Sequence, residues 1–258
     1  RGYLRKTKGV VVASAQSTSL DVGDEPLLLK NKFPDLHVVV AEKRVDGISA
    51  CIHLSPKPRV VLLDDAHQHR YVKPGLSIVL VDYGRPVWSD HLLPAGNLRE
   101  GLAGMRRADI IIVTKCPPLL ASDEIASISK KLKLSPSQAL YFTTFSYGQP
   151  FPLIREDHSE TLQWEGCDVV AFTALANAKP FHGFLRAQKV RLSVMDLPDH
   201  HRFTSEDIQR LSALFIKLPS PNKWIAVTER DAVKLREMKQ IPDEIVSRIV
   251  VVPIEPLF

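Results

Sequence analysis

Short, almost unbroken apolar runs recur along the chain, and they constrain its fold more than any other feature. The clearest of them lie at 60–63, 108–115 and 168–175. Runs of this length are typical of strands that are buried on both faces of a parallel sheet. Amphipathic segments lie between the runs and predict helices, as at Ser122–Leu134. The alternation predicts an α/β protein with mostly parallel sheets flanked by helices.

Two acidic residues, Asp64 and Asp65, directly follow the apolar run at 60–63. In open α/β sheets, ligands bind beyond the carboxyl ends of the strands. A pair of carboxylates at such a place is suited to hold Mg²⁺ beside a phosphate. The same pattern also suits a capped loop in which His67 and His69 are merely exposed. From these residues alone, both interpretations stay open.

The length of the chain and one break in its pattern predict two domains. With 258 residues, of which 45% are hydrophobic and 24% charged, the chain has the composition of one large or two modest globular domains. The segment 146–157 is rich in Pro and Gly and interrupts the alternation. We therefore predict a first lobe at 1–147 and a smaller α/β lobe at 148–258.

Charge and cysteine content exclude several classes of protein. The formal net charge of +5 suits anionic partners, but no block of Lys and Arg is long enough to indicate nucleic acid binding. The three cysteines are far apart, so neither a disulfide framework nor a zinc ribbon is predicted, and a reducing cytosolic setting fits best. No apolar run has the length of a membrane-spanning helix.

The stretch from 64 to 70, Asp-Asp-x-x-Gln-His-Arg, resembles the tetraacyldisaccharide 4′-kinase family, the lipid A kinases of Gram-negative bacteria. Members of that family have Gly-Phe in the spacer, where this chain has Ala66 and His67. Other family segments match in the same order along the chain. They are Arg-Gly-Tyr at 1–3, Gly-Asp-Glu-Pro-Leu-Leu at 23–28, Leu-Leu-Pro-x-Gly-x-Leu-Arg-Glu at 92–100, Asp-His-His at 199–201 and Thr-Glu-x-Asp-Ala-Val-Lys-Leu at 228–235.

The resemblance implies a P-loop-kinase-like fold and a lipid kinase activity. The implied reaction is the ATP-dependent phosphorylation of the 4′-hydroxyl of a tetraacylated glucosamine disaccharide 1-phosphate, a step of lipid A biosynthesis. The implied cofactor is Mg²⁺, and the implied partners are ATP and the lipid A disaccharide precursor. Because the substrate is a lipid, we expect the protein at the cytoplasmic face of the bacterial inner membrane, bound peripherally and without nucleic acid.

The resemblance also implies roles for individual residues. Asp24 matches the proposed general base, supported by His200 or His201, while Asp64 and Asp65 match the Mg²⁺-binding acids. Independently of that family, Thr114-Lys115 at the end of a predicted strand is similar to the base-recognition strand of P-loop nucleotide-binding proteins, so Lys115 is a candidate nucleotide contact, with a solvated lysine as the alternative. The candidates for contacts with substrate or phosphate are Arg1, Arg5, Arg44, His69, Arg70, Arg99 and Glu100.

Structural roles remain open for several of these residues. Asp24 is also a plausible N-cap, because Glu25 and Pro26 suit the first turn of a helix. Arg99 and Glu100 can equally open a helix that ends near Arg107. Sequence alone does not decide which histidine takes part in the chemistry, which acyl chains are accepted or how the protein oligomerises.

The phosphate-binding loop of P-loop kinases, Gly-x-x-x-x-Gly-Lys-Ser/Thr, does not occur in these residues. In the family, this Walker A segment precedes the Arg-Gly-Tyr segment, which here is at positions 1–3. We therefore expect an N-terminal portion upstream that carries the P-loop and any membrane-binding helix. Without it, residues 1–258 alone are expected to bind Mg²⁺–ATP poorly.

Two other functions remain possible from the residues themselves. A metal-dependent hydrolase would use the acids Asp64 and Asp65 with nearby imidazoles. Its candidate histidines are His67, His69, His200 and His201. The second alternative is a non-catalytic module that binds nucleotide or lipid. Stoichiometric Zn or Mn in the purified protein would favour the hydrolase, and binding without an ATP-dependent product would favour the module.

Overall fold

A computed structural model describes residues 2–154, 163–238 and 240–258. In chain order, its strands are β1 (Val11–Val12), β2 (Val39–Val40), β3 (Ile78–Asp82), β4 (Ile110–Thr114), β5 (Ala139–Phe142), β6 (Thr144–Tyr147), β7 (Phe151–Pro152), β8 (Asp168–Thr173), β9 (Arg191–Asp196), β10 (Lys223–Thr228), β11 (Ile249–Val252) and β12 (Ile254–Leu257). Its helices are α1 (Ser19–Val22), α2 (Asp24–Lys32), α3 (Arg44–Ile52), α4 (Ser122–Leu132), α5 (Lys179–Ala187), α6 (Ser205–Ile216), α7 (Glu229–Arg236) and α8 (Asp243–Val246), with a 3₁₀ helix at Leu102–Arg107.

The contacts within the chain form two compact units. Unit 1 contains residues 1–61 and 147–254, and unit 2 contains residues 62–146 and 255–258. This grouping differs from the two consecutive lobes, 1–147 and 148–258, that were predicted from the sequence. The physical reason is a small core in which Val22 and Leu27, from the N-terminal segment, pack with Val233 of α7. That core places the first 61 residues with the C-terminal half.

Unit 1 is built on a five-stranded sheet in the order β7-β11-β10-β8-β9. The four strands from β11 to β9 are parallel, and β7 pairs antiparallel at one edge. Alternate residues of β8 enter two different cores, Val170 and Phe172 on one face, Val169 and Ala171 on the other. Because both faces are covered, every residue of β8 is buried, as its continuous apolar run predicts.

Unit 2 contains a parallel sheet in the order β3-β4-β5. Its core joins Ile111 and Val113 of β4 with Ile128 and Leu132 of α4. The amphipathic segment predicted at Ser122–Leu134 therefore forms a helix whose apolar side packs on the sheet. A separate two-stranded sheet pairs β12 with β6.

The prediction of a buried strand at Val60–Leu63 is wrong. This segment is not part of any strand pair among the described residues, and Val60 and Leu62 are 71% and 87% exposed. An apolar run becomes a buried strand only when neighbouring strands take up its backbone hydrogen bonds, and a run of four residues does not encode that partner. Asp64 and Asp65 consequently follow a segment without regular secondary structure and lie in a turn.

Within the described ranges, no helix combines the length and apolarity needed to cross a membrane. The α/β class and the mostly parallel sheets predicted from the sequence are confirmed.

Candidate active site

The site in unit 1 begins at the N-terminus of α2. Gly23 is the N-cap, with φ +94°, and a Cβ there would meet the Cα of Gly2 at 2.9 Å. Only glycine fits this close approach without strain. Asp24 is therefore the first helical residue and not the N-cap suggested by the sequence. Its carboxylate is almost buried, and its Oδ1 accepts a hydrogen bond of 3.0 Å from the backbone N–H of Glu25.

Three nitrogen-bearing side chains surround the other oxygen of Asp24, Oδ2. His200 Nδ1 lies at 3.3 Å and Arg230 Nε at 3.4 Å. Lys234 Nζ lies at 3.9 Å. One oxygen is thus surrounded by protein donors and cations, which fixes the orientation of the carboxylate.

His200 has an unusual backbone conformation, with φ +57°. Left-handed backbone is uncommon for a residue with a side chain and often marks functional sites. The ring packs edge-on against Tyr3, with 4.8 Å between centroids, and Nε2 lies 3.9 Å from Asp199 Oδ2. This conformation directs the imidazole of His200 towards Asp24.

His201 has a different partner from its neighbour. Its Nε2 lies 2.8 Å from Oδ2 of Asp207. The same carboxylate oxygen accepts hydrogen bonds from the backbone N–H and the hydroxyl of Thr204, both at 2.8 Å, in the capping box of α6. His201 therefore braces the start of α6, and of the two histidines only His200 is brought to Asp24.

Arg230 joins two parts of the site through its guanidinium group. One Nη atom lies 2.8 Å from Asp199 Oδ1, and the other lies 3.8 Å from Glu25 Oε1. Together with the contact to Asp24, this ties the loop carrying His200 to the start of α2. The motif at 228–235 contains Arg230 and Lys234, but a pair of cations spaced by four residues is common on exposed helices, so sequence reasoning did not select them.

Beneath Lys234 lies Asp231, which is fully buried. Its Oδ2 accepts hydrogen bonds from the hydroxyl of Thr228 at 2.8 Å and the backbone N–H of Ala174 at 3.3 Å, while Oδ1 lies 3.4 Å from Lys234 Nζ. Burial raises the pKa of the Asp231 carboxyl above its ordinary value, and these three neighbours oppose the rise.

Unit 2 holds the second group of candidate residues. Asp65 has φ +45°, and its Oδ2 lies 3.7 Å from Arg99 Nη1 in an exposed ion pair. Glu100 Oε2 accepts a hydrogen bond of 2.7 Å from Arg107, and this bond lowers the pKa of the Glu100 carboxyl. Arg70, Arg99 and Arg107 line a cavity of about 430 Å³ together with Glu100. Three guanidinium groups around one cavity are suited to binding phosphate.

Asp64 and Asp65 fit a magnesium ion by the chemistry of their donor atoms. Mg²⁺ prefers oxygen ligands, keeps several waters and usually takes only one or two carboxylates besides substrate phosphates. Among the residues with described positions, no group of three or more His, Cys, Asp or Glu side chains is arranged to hold a metal ion. Two adjacent carboxylates match a site that phosphate oxygens complete.

The remaining candidates have mixed surroundings. The Arg5 side chain is 4% exposed and donates to Glu42 at 2.6 Å and to the Gly9 carbonyl at 2.7 Å, so it holds the N-terminal loop in place. Lys115 Nζ lies 2.6 Å from Asp82 Oδ2 at the ends of two neighbouring strands. Three further candidates have these positions: Arg44 opens α3 and contacts the Ala41 carbonyl, His69 is half-buried in a turn of unit 2, and Arg1 lies outside the described residues.

Comparison with known proteins shows that the chain is similar to kinases. The profile of the family described as tetraacyldisaccharide-1-P 4′-kinase matches residues 1–258. A tetraacyldisaccharide 4′-kinase of Phocaeicola vulgatus is 39% identical over 262 residues, covering 100% of this chain and 72% of the relative. The enzyme of the same name from Bacteroides thetaiotaomicron is 41% identical over 265 residues, covering 99% of this chain and 70% of the relative.

A solved structure agrees with these relatives. The crystal structure of "apo" form LpxK from Aquifex aeolicus in complex with ATP is similar with a TM-score of 0.69 and 25% identity, over 100% of this chain and 72% of that one. A mostly parallel α/β fold shared over the whole chain with an ATP-bound kinase defines a phosphotransferase of the P-loop-kinase-like class. The chain belongs to the tetraacyldisaccharide-1-P 4′-kinase family.

Proposed function

We propose that this protein phosphorylates the 4′-hydroxyl of the tetraacylated glucosamine disaccharide 1-phosphate, with ATP as the phosphoryl donor. Family membership over the whole chain supports the reaction. The observation that carries the assignment of residues is the 3.3 Å approach of His200 Nδ1 to Asp24 Oδ2, across 176 positions of sequence. This contact joins two separate segments that match the family.

In the proposed reaction, the carboxylate of Asp24 accepts the proton of the 4′-hydroxyl as that oxygen attacks the terminal phosphorus of ATP. The bond from that phosphorus to the β,γ-bridging oxygen breaks, and ADP leaves. A carboxylate suits this role because positioning supplies most of the rate in phosphoryl transfer. His200 contacts Oδ2 of Asp24 at 3.3 Å and would hold the orientation of that oxygen. Arg230 holds the His200 loop against α2 through Asp199.

Unit 2 is proposed to bind the phosphate groups of the substrates. Asp64 and Asp65 would hold Mg²⁺, which when bound neutralises charge on the phosphate oxygens. Arg70 and Arg99 would bind phosphate in the cavity of about 430 Å³ that they share with Glu100. The proposed further contacts with substrate or phosphate are Arg1, Arg5, Arg44 and His69, and Lys115 is a proposed nucleotide contact.

We also propose that the protein works at the cytoplasmic face of the bacterial inner membrane as a peripheral protein. The proposed substrate carries acyl chains, and the formal net charge of +5 suits an anionic lipid surface.

Local geometry disfavours the hydrolase that the sequence left open. Both ring nitrogens of His67 contact protein groups, the Ser77 hydroxyl at 3.3 Å and the Gly104 carbonyl at 3.1 Å. His201 is occupied by Asp207. A non-catalytic module would bind nucleotide or lipid but would form no ATP-dependent product.

The test is to incubate the purified full-length kinase, including the expected P-loop portion, with Mg²⁺–ATP and the disaccharide 1-phosphate and to locate the new phosphate by mass spectrometry. The wild type should give the 4′-phosphate. Asp24→Asn should lower turnover by roughly 10²–10⁴-fold, the range for a lost general base, while the dissociation constant for ATP changes little. Asp35→Asn, an exposed carboxylate beyond the end of α2, is the matched control and should keep full turnover. Binding of both ligands without product would refute the proposed function.

A further inference from the structure

Lys234 is the most deeply placed cation of the Asp24 cluster. Its side chain is 8% exposed, compared with 19% for Arg230 and 23% for His200. The ammonium lies 3.9 Å from Asp24 Oδ2, 3.4 Å from Asp231 Oδ1 and 5.4 Å from the ring centroid of Phe203. Removing a charged ammonium group from water costs free energy. Buried lysines are therefore found where carboxylates or other polar groups are held in place to pair with the charge.

Asp231 supplies the fixed partner, since it is anchored to the central sheet. Thr228, which bonds its Oδ2, is the last residue of β10, and Ala174, whose N–H bonds the same oxygen, directly follows β8. These two strands are paired neighbours in the middle of the five-stranded sheet. Asp231 is thereby held by two paired strands inside the sheet of unit 1, and Lys234 lies between it and Asp24.

The three contacts of Asp24 Oδ2 differ in what stabilises them. Arg230 divides its guanidinium between Asp24, Glu25 and Asp199 near the surface. His200 sits on a loop in a left-handed conformation. Only Lys234 approaches from the buried side, where a charge interaction is weakened least by water.

We infer that Lys234, supported by Asp231, is a positioning residue for phosphoryl transfer that holds the Asp24 carboxylate in its catalytic orientation. This inference rests on the proposed role of Asp24. Lys234 acts through Asp24 and not on the substrate, so its loss should affect turnover much more than substrate binding. Lys234 Nζ and Asp24 Oδ2 are 3.9 Å apart, which is too long for a hydrogen bond but close enough for attraction between charges. An arginine at position 234 should therefore restore part of the interaction.

The experiment measures kcat and both KM values in the purified kinase for Lys234→Met and Lys234→Arg. Lys234→Met should lower kcat by about 10- to 100-fold, the scale of a misplaced catalytic group, with each KM changed by less than about threefold. Lys234→Arg should recover a substantial part of kcat. Lys179→Met removes an exposed cation at the start of α5 and is the control that should leave kcat unchanged.

A second variant separates positioning from folding. Lys234→Met alone leaves Asp231 buried without its cation and should destabilise the protein. The double variant Asp231→Asn with Lys234→Met removes both charges, and we expect its thermal stability to recover while kcat stays low. Recovery of kcat together with stability, or a wild-type kcat in Lys234→Met, would overturn the inference. Full turnover in Asp24→Asn would instead refute the proposed role of Asp24, and absence of the 4′-phosphate from the wild type would refute the proposed function, so these failures are distinguishable.

Discussion

His201 Nε2 lies 2.8 Å from Asp207 Oδ2, whereas the adjacent His200 faces Asp24. Two neighbouring histidines therefore have separate structural surroundings. The two side chains diverge at a residue with left-handed backbone, since His200 has φ +57°.

We expect opposite effects from replacing the two histidines. His200→Ala should lower kcat by about 10²-fold, at the lower end for a group assisting proton transfer, with little loss of stability. His201→Ala should leave kcat near the wild-type value and lower the free energy of unfolding by about 1 kcal/mol, because the capping box of α6 loses a partner. Steady-state kinetics and denaturant unfolding of both variants measure these effects. A large loss of kcat in His201→Ala with unchanged stability would reverse the assignment.

Replacement of the acids in unit 2 tests the proposed magnesium site. Asp65→Ala should abolish phosphoryl transfer in a protein that remains folded, and Asp64→Ala should also be severe. The reason is that Mg²⁺ is bound by few carboxylates, so the loss of one removes much of the site. The measurement is turnover as a function of Mg²⁺ concentration, with circular dichroism as the control for folding. Near-normal turnover of Asp65→Ala at saturating Mg²⁺ would contradict the assignment.

Asp168 provides a prediction about pH and stability. It is buried at the start of β8, and its hydrogen bond from Arg191 lowers the pKa of its carboxyl below the ordinary value of 3.8, assisted by the N–H of Ser220 at 2.8 Å. A lowered pKa in the folded state means that the carboxylate contributes stability above pH 3.8, and that this contribution is lost as the pH falls through the lowered value.

Asp168→Asn should therefore lower the free energy of unfolding by about 1–3 kcal/mol at pH 7, the range for a hydrogen bond to a charged group. The difference from the wild type should shrink as the pH falls below 3.8. Urea unfolding at a series of pH values measures both. A difference that stays constant down to the acid transition would show that the charge of Asp168 does not provide the stability.

The sequence predicted strands correctly where both faces of the strand are buried. It failed where strand formation depends on a neighbouring strand that the segment itself does not specify. The run at 168–175 became β8 because both of its faces are covered, whereas Val60–Leu63 has the same apolar pattern and no described strand beside it. Hydrophobic pattern records the tendency to be buried but not the partner.

The site was likewise predictable in part. Asp24 and the pair His200 and His201 stood out through segments that match the family, and the structure brings His200 to Asp24. Arg230 and Lys234 did not stand out, because a cation spacing of four residues is equally typical of a solvated helix face. Only the fold shows that Asp231 is wholly buried and that Lys234 lies above it.

The central claim is that Asp24 and His200 act as one unit in 4′-phosphorylation. A double-mutant cycle tests it, with kcat/KM for the 4′-phosphorylated product measured for the wild type, Asp24→Asn, His200→Ala and the double variant. If the two residues act together, the double variant should lose little more than Asp24→Asn alone, because either change already disables the unit. Losses that multiply, so that the double variant falls by the product of the two single factors, would contradict the claim.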